Sequence, residues 1–262
     1  MHFIGIIPAR YASSRFPGKP LVDLCGKTMI QRVYEQVSKK LDTVLVATDD
    51  ERIYNCVKAF GGNVVMTSSE HTCGTDRVYE AYLKYRDDQL KPTSDADVVV
   101  VNVQGDEPFI QPDQIQSLMD CFPAEIATLV HPFGADASLD DLQNPNYVKV
   151  AIARAKADDK KGKALYFSRS VIPYARGIDS HDWLKQGKFY RHIGMYAYRA
   201  DVLGQITKMS PSVLEQTECL EQLRWLENGL TIHVAETHHA SLGIDTPEDL
   251  QKAINYIKGG KE

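Results

Sequence analysis

No Gly-x-Gly occurs anywhere in the 262 residues, so the glycine fingerprint of dinucleotide binding is excluded. No Cys-x-x-Cys pair occurs either. The five cysteines (Cys25, Cys56, Cys73, Cys121 and Cys219) are scattered and odd in number, which fits reduced thiols in a cytoplasmic protein and offers no zinc framework. His238 and His239 are adjacent, so their side chains diverge on any regular element and read as a polar strand end. No run is apolar enough to span a membrane, and the N-terminus lacks the basic start and long apolar stretch of a signal peptide. The expectation is a cytosolic chain that begins near Met1. Positive charge is in deficit: 30 Lys and Arg face 35 Asp and Glu, a net charge of −5, which argues against a general DNA- or RNA-binding surface. No internal repeat, low-complexity segment or interdomain linker is visible.

What is present is an alternation of strand and helix patterns over the first hundred residues. The apolar run from His2 to Pro8 reads as a buried strand. Residues 28–41 place Ile30, Val33, Tyr34, Val37 and Leu41 on one helical face, and residues 43–48 form a second buried strand. Asp49 or Asp50 can cap a helix that stops at Gly61-Gly62. Residues 63–66 form a short strand, 76–85 a helix, and 97–103 the clearest buried strand, continuous and β-branched. This order predicts an α/β fold with a mainly parallel sheet and right-handed crossovers. The second half is less regular. Strands are expected at 149–153 and 164–167 around a charged turn, and at 189–198 and 231–234. Residues 174–188 read as a polar surface excursion. A helix is expected over 218–228, and a last one begins at Thr246-Pro247-Glu248-Asp249, with a cap hydroxyl, Pro at the first position and acids in the first turn.

The loop after the first strand carries Arg10, Arg15 and Lys19, interleaved with Ser13, Ser14 and Gly18. Three cations on a short loop at the carboxyl end of a parallel strand suit a polyphosphate, because ligands of open α/β sheets bind at that edge. Charges alone would equally make a solvated loop; charge, small residues and position together point to phosphate. Gly26-Lys27-Thr28 imitates the end of a P-loop, but Leu21 stands where its first glycine would be, so it reads as a turn opening a helix. After the strongest strand comes Gln104-Gly105-Asp106-Glu107-Pro108. An aspartate there is a natural magnesium ligand beside bound phosphates, although the same residues make an ordinary turn. Asp245 precedes a helix that Thr246 can already cap, which leaves its carboxylate for another task. Ser168-Arg169, Arg191-His192 and Glu221-Gln222 recur as polar groups after apolar segments. Each alone is as well explained by a salt bridge or a helix surface.

Seven segments, in order, closely resemble one family. They are IIPARYASSRFPGKPL, VATDDERI, VNVQGDEP, ALYFSRSVIP, RHIGMYAYR, LEQLR and GIDTPEDL. Together they are similar to the 3-deoxy-manno-octulosonate (KDO) cytidylyltransferases, or CMP-KDO synthetases, from Phe3 to Leu250. The first segment is shared with CMP-sialate synthetases; FSR, RHIG and EQLR are more specific. The resemblance implies a Rossmann-like, GT-A-like nucleotidyltransferase fold with a dimerisation sub-domain. It implies one domain over residues 1–262, with a CTP-binding half of about 1–125 and a sugar-binding and dimerisation half of about 126–262. It also implies a magnesium-dependent homodimer that makes CMP-KDO and pyrophosphate for lipopolysaccharide. By the same resemblance Arg10, Ser14, Arg15 and Lys19 would hold the CTP phosphates, and Gly74, Thr75 and Arg77 would lie near cytosine and ribose. Cys73 stands where Ser is commoner in the family. Asp106 and Asp245 would bind magnesium, so that Arg10, Lys19, Asp106 and Asp245 form the catalytic set. Gln104, Arg169, His192, Tyr196, Glu221 and Gln222 would surround the sugar acid.

Three alternatives stay open at this point. An enzyme for sialic acid or an 8-amino KDO derivative would keep most of these motifs. A non-catalytic nucleotide-sugar sensor would be marked by a lost Lys19 or lost carboxylates, all of which are present. A glycosyltransferase would show Asp-x-Asp after a strand, whereas Asp95-Ala96-Asp97 precedes one.

Overall fold

The apolar run behind Met1 forms β1 (His2–Ala9), followed by α1 (Met29–Ser38), β2 (Thr43–Thr48), α2 (Glu51–Ala59), β3 (Val64–Met66), α3 (Gly74–Gln89) and β4 (Val98–Asn102). Then come α4 (Pro112–Met119), β5 (Ile126–Pro132), α5 (Leu139–Gln143), β6 (Lys149–Ala153), β7 (Lys161–Ser168), α6 (Trp183–Gln186) and β8 (Tyr190–Arg199). The chain ends with α7 (Ala200–Ile206), α8 (Val213–Glu218), α9 (Glu221–Glu227), β9 (Ile232–Glu236) and α10 (Pro247–Ile257). This computed structural model describes residues 1–12, 16–89, 94–134, 136–156, 159–239 and 243–259. The chain divides into two compact units, one of Met1–Gln116, Arg199–Thr207 and Ser241–Glu262, the other of Ser117–Tyr198 and Lys208–Ala240.

The first unit holds the parallel strands β3-β2-β1-β4. Ile4, Ile6 and Ile7 of β1 and Val99, Val100 and Val101 of β4 are fully buried. That is why these strands read as continuous apolar runs: parallel strands covered on both faces need no polar side. β2 lies on one side of β1 and β4 on the other, so the strand order reverses at β1 and opens a crevice at the carboxyl ends of β1 and β4. Side-chain caps open α1, α2 and α10, those of α2 and α10 as expected. Thr28 accepts from the Gln31 amide and Asp50 from the Arg52 amide, and Thr246 and Asp249 form a reciprocal capping box. α3 is longer than its apolar pattern indicates, starting at Gly74.

The second unit has a mixed sheet. β5 pairs antiparallel with β8 and parallel with β9; β9 pairs antiparallel with β7, and β7 with β6. β6 also meets β8 at Lys149 and Arg191. β7 starts at Lys161, inside the stretch that reads as a charged turn. The expected helix over 218–228 is broken. α8 ends at Glu218, Cys219 takes a left-handed φ of 52°, and α9 begins at Glu221. The break is held from outside, because Glu218 accepts from Ser168 Oγ (2.7 Å) and the Arg169 amide (2.8 Å). The 174–188 excursion is anchored. Trp183 is buried against Leu142 and Phe189, and its Nε1 donates to the Ile178 carbonyl at 3.0 Å.

All five cysteines are free thiols. Among the described residues no helix is long and apolar enough to cross a membrane.

Candidate active site

At the carboxyl ends of β1 and β4 the first unit opens a cleft of about 290 Å³, lined by Arg10, Lys19, His71, Gly74, Arg77, Gln104, Asp106 and Asp245, among others. Two glycines let the backbone close around it. Gly18 takes a φ of 74° and its amide bonds the Tyr11 carbonyl at 2.9 Å, which turns the chain into the short helical turn bearing Lys19. A Cβ on Gly105 would lie 2.9 Å from the Pro8 carbonyl, so only glycine lets the loop after β4 press against the end of β1. That approach sets the position of Asp106.

Lys19 is the centre of the cleft. Its Nζ donates to Asp106 Oδ2 at 2.7 Å and to Asp245 Oδ1 at 3.0 Å. Burial opposes its charge, but Asp106 and then Asp245 outweigh that and raise its pKa above the ordinary lysine value. Lys19 is therefore a fixed cation at working pH. Asp245 is delivered from far along the chain by packing: Ile244 is buried with Leu24, Met29 and Ala253 of α10, and its amide bonds the Asp106 carbonyl at 3.0 Å. Thr246 performs the capping, and Asp245 turns to Lys19.

Two carboxylates that share one ammonium converge on a single cation position. Their hard oxygens suit magnesium, which takes one or two protein carboxylates and completes its shell with phosphate and water. Asp106 and Asp245, which meet at Lys19, are the carboxylates whose placement fits such an ion.

The remaining nucleotide candidates differ in their freedom. Arg10 is exposed at the cleft, and Ser14 and Arg15 lie outside the described residues. Arg77 lines the cleft but is anchored, with Nη2 on Asp49 (2.7 Å) and Nη1 on Thr67 (2.6 Å). Thr75 is buried in the opening turn of α3. His71 also lines the cleft, and the sequence reading did not single it out. Its Nε2 bonds Glu80. Burial opposes the Glu80 charge, yet bonds from Lys84, the Ser68 amide and His71 outweigh it and hold the carboxyl at about 2.

The sugar-acid candidates other than Gln104 belong to the second unit, where they gather around β8 and the start of α9. The Arg169 Nε, Nη1 and Nη2 donate to the carbonyls of Glu218 (2.6 Å), Pro145 (3.0 Å) and Cys219 (3.3 Å). One hydrogen on each terminal nitrogen is left for a ligand. His192 stands edge-on to Phe167 (centroids 5.2 Å apart) and beside Tyr196 (5.3 Å). Burial, and then the Arg191 cation, push its pKa down to about 3, so it is neutral at working pH. Burial and the nearby Glu221 raise the Tyr196 hydroxyl well above its usual value. Thr128 lies near that hydroxyl, but the hydroxyl makes no hydrogen bond of acceptable geometry. An orphaned buried hydroxyl is costly and suits a ligand contact. Glu221 accepts from Arg224 at 2.8 Å, and Gln222 is buried. Lys149, which the sequence shows only as a strand residue, is fully buried, with Nζ on the Asn144 carbonyl at 3.0 Å. Burial lowers its pKa; Glu218 opposes that shift and Arg169 adds to it.

A neutral His192 has a consequence for stability. Its folded pKa of about 3 lies below the ordinary 6.5, so between these values the unfolded chain binds the proton and the native state does not. Stability is therefore full above pH 6.5 and falls as pH drops towards 3, by at most about 1.4 kcal/mol per pH unit. The melting temperature should fall more steeply between pH 7 and 5.5 in the wild type than in His192→Gln. Parallel slopes would mean that His192 takes up its proton in the native state.

A parallel-sheet crevice with a fixed lysine between two convergent aspartates suits a phosphate-bearing ligand held by charge and position. A cytidylyltransferase family model matches residues 4–232. The chain is 56% identical over 261 residues to the 3-deoxy-manno-octulosonate cytidylyltransferases of Parabacteroides distasonis and Phocaeicola vulgatus, covering 98% of this chain and 98% of each relative. A solved structure of CMP:2-keto-3-deoxy-manno-octonic acid synthetase complexed with CTP superposes with a TM-score of 0.84 at 38% identity, covering 98% of this chain and 99% of that one. The chain belongs to the 3-deoxy-manno-octulosonate cytidylyltransferase family, within the cytidylyltransferases.

Proposed function

We propose that this chain couples CTP to KDO, releasing pyrophosphate and forming CMP-KDO for lipopolysaccharide synthesis in the cytoplasm. The observation that carries the reading is the convergence of Asp106 and Asp245 on Lys19 at the carboxyl edge of β1 and β4. Arg10 and Lys19, with Ser14 and Arg15, hold the triphosphate, and Gly74, Thr75 and Arg77 frame the nucleoside. Arg169 receives the sugar carboxylate with its two remaining donors. Gln104, His192, Tyr196, Glu221 and Gln222 orient the hydroxyls.

In the reaction the anomeric hydroxyl of KDO attacks the α-phosphorus of CTP, a P–O bond forms to the sugar, and the bond to pyrophosphate breaks. The hydroxyl proton passes to solvent, and no side chain in the cleft is required as its base. Lys19 and Arg10 stabilise the charge that accumulates on the departing pyrophosphate, a positional and electrostatic form of catalysis. Asp106 and Asp245 would hold magnesium, which would supply charge neutralisation at the phosphates and Lewis acidity towards the attacking hydroxyl.

The GT-A-like description and a homodimer belong to the same reading. Leu165 and Tyr174 are exposed large apolar side chains of the second unit, and Leu165 borders a hollow also lined by Val150, Ile152 and Pro173, a surface that a second copy could cover.

Pyrophosphate release with magnesium and CTP, compared across KDO, its 8-amino analogue and sialic acid, is the test. Release dependent on KDO is expected. Preference for another acid would keep the mechanism and move the specificity. Silence with all three, from folded protein that binds CTP, would overturn the reading in favour of a nucleotide-sugar sensor.

A further inference from the structure

Thr128 of β5 stands opposite Tyr196 of β8, yet its neighbour Leu129 stands opposite Ile193. The register therefore shifts between Thr128 and Leu129, and the ladder is irregular beside His192. At this point Thr128 Oγ1 lies 2.8 Å from the Met195 carbonyl oxygen, 3.2 Å from the Ile193 carbonyl oxygen and 2.9 Å from His192 Nε2. A hydroxyl has one hydrogen and two lone pairs. Neither carbonyl can supply a hydrogen, and two oxygens do not rest 2.8 Å apart without one between them. The imidazole nitrogen can supply its own. The assignment that satisfies every contact has Thr128 donating to the Met195 carbonyl, with Ile193 as a weaker second acceptor, and His192 Nε2–H donating to Thr128.

We infer that Thr128 is a positioning residue for the acceptor sugar: it fixes His192 as the Nε2–H tautomer, so that Nδ1 presents a lone pair to a hydroxyl hydrogen of the sugar acid. The inference rests on the reading that His192 contacts the sugar. The ring is neutral, so one nitrogen is protonated and the other is an acceptor. Among the described residues Nδ1 has no hydrogen-bond partner, and His192 as a residue is half-buried. A fixed acceptor recognises a group that can donate. Replacing the recognised hydroxyl by hydrogen or methoxy would leave Nδ1 unpaired, whereas a free-flipping imidazole could adapt. Thr128 thereby turns an ambidextrous ring into one with a defined preference, without touching the substrate.

The test combines a spectrum with kinetics. Long-range ¹⁵N–¹H correlation at pH 7.5, with His192 assigned by its loss in His192→Gln, should show a pyrrole-type Nε2 and a pyridine-type Nδ1 in the ligand-free protein. Thr128→Ser should keep that pattern, and Thr128→Val should lose it or mix it. Thr128→Val should also raise KM for KDO roughly five- to tenfold, the worth of one hydrogen bond, with KM for CTP unchanged. Thr128→Ser should restore it. An Nδ1–H tautomer or an imidazolium in the wild type overturns the inference, as does an unchanged tautomer in Thr128→Val. If His192→Gln leaves KM for KDO unchanged, the sugar-contact reading fails, and the functional half of the inference fails with it, whatever the spectrum shows. If Thr128→Val does not fold, the wild-type and Thr128→Ser spectra still decide between the tautomers.

Discussion

Replacing Asp106 with Asn is expected to slow pyrophosphate release by at least about 100-fold at saturating magnesium, while the protein stays folded. Asn has the shape of Asp, and its side-chain oxygen can still accept from Lys19, which now lies 2.7 Å from Asp106 Oδ2. The loop keeps its backbone tie, the Ile244 amide on the Asp106 carbonyl at 3.0 Å. The Asp106 side chain is 31% exposed, so removing its charge from the ion pair should cost only about 1 kcal/mol of stability. What Asn lacks is the anionic oxygen that a hard divalent cation requires. Asp245→Asn should behave in the same way. Because both carboxylates meet one cation position, the double variant should be little worse than either single one, as expected of groups that act as a unit. Turnover near the wild-type level in both single variants would remove the two aspartates from the metal site. A double variant that shows the product of the two losses would mean that they act separately.

The first unit was legible because its signals are long. β1, β2 and β4 are continuous apolar runs, and α1 and α10 are each about three turns long, the cap of α10 at Thr246 being written in the sequence. The second unit was less so, for physical reasons. α5, α6, α8 and α9 have five, four, six and seven residues, too short for a 3.6-residue period to show. The break at Cys219 is imposed by Glu218 meeting Ser168 and Arg169 some fifty positions away, a tertiary cause with no local trace. β5 carries an apolar run, but its partners β8 and β9 come from distant sequence, and nothing local announces that it pairs antiparallel with one and parallel with the other. At the site, residue types and order pointed to Lys19, Asp106 and Asp245. Their convergence depends on the packing of Ile244 under α10, which no motif encodes. Thr128 and Lys149 were invisible for the same reason. An alternating strand pattern shows which residues share a face, not which hydroxyl meets a histidine or which lysine is sealed from solvent.

Lys19→Met should be the other large effect, and its value lies in separating charge from shape. Met fills much of the same volume, but it leaves Asp106 and Asp245 without their common cation. Loss of a fixed positive charge at the phosphates should cost about 10²–10³-fold in turnover. The loss of two charge-assisted bonds to a mostly buried group should lower stability by about 2 kcal/mol. The pH dependence has a definite sign. The Lys19 pKa is raised above 10.5 in the folded state, so its contribution is complete below pH 10.5 and is lost as pH rises through the folded value. The variant should therefore lack an alkaline limb of instability that the wild type shows. Magnesium should raise the melting temperature of Lys19→Met more than that of the wild type, since a divalent cation can take the place that the ammonium vacates between the two carboxylates. Thermal melts with and without magnesium read this without any turnover. Equal stabilisation of both proteins would mean that the carboxylates do not share a cation position, and the magnesium assignment would fall even if the variant were inactive.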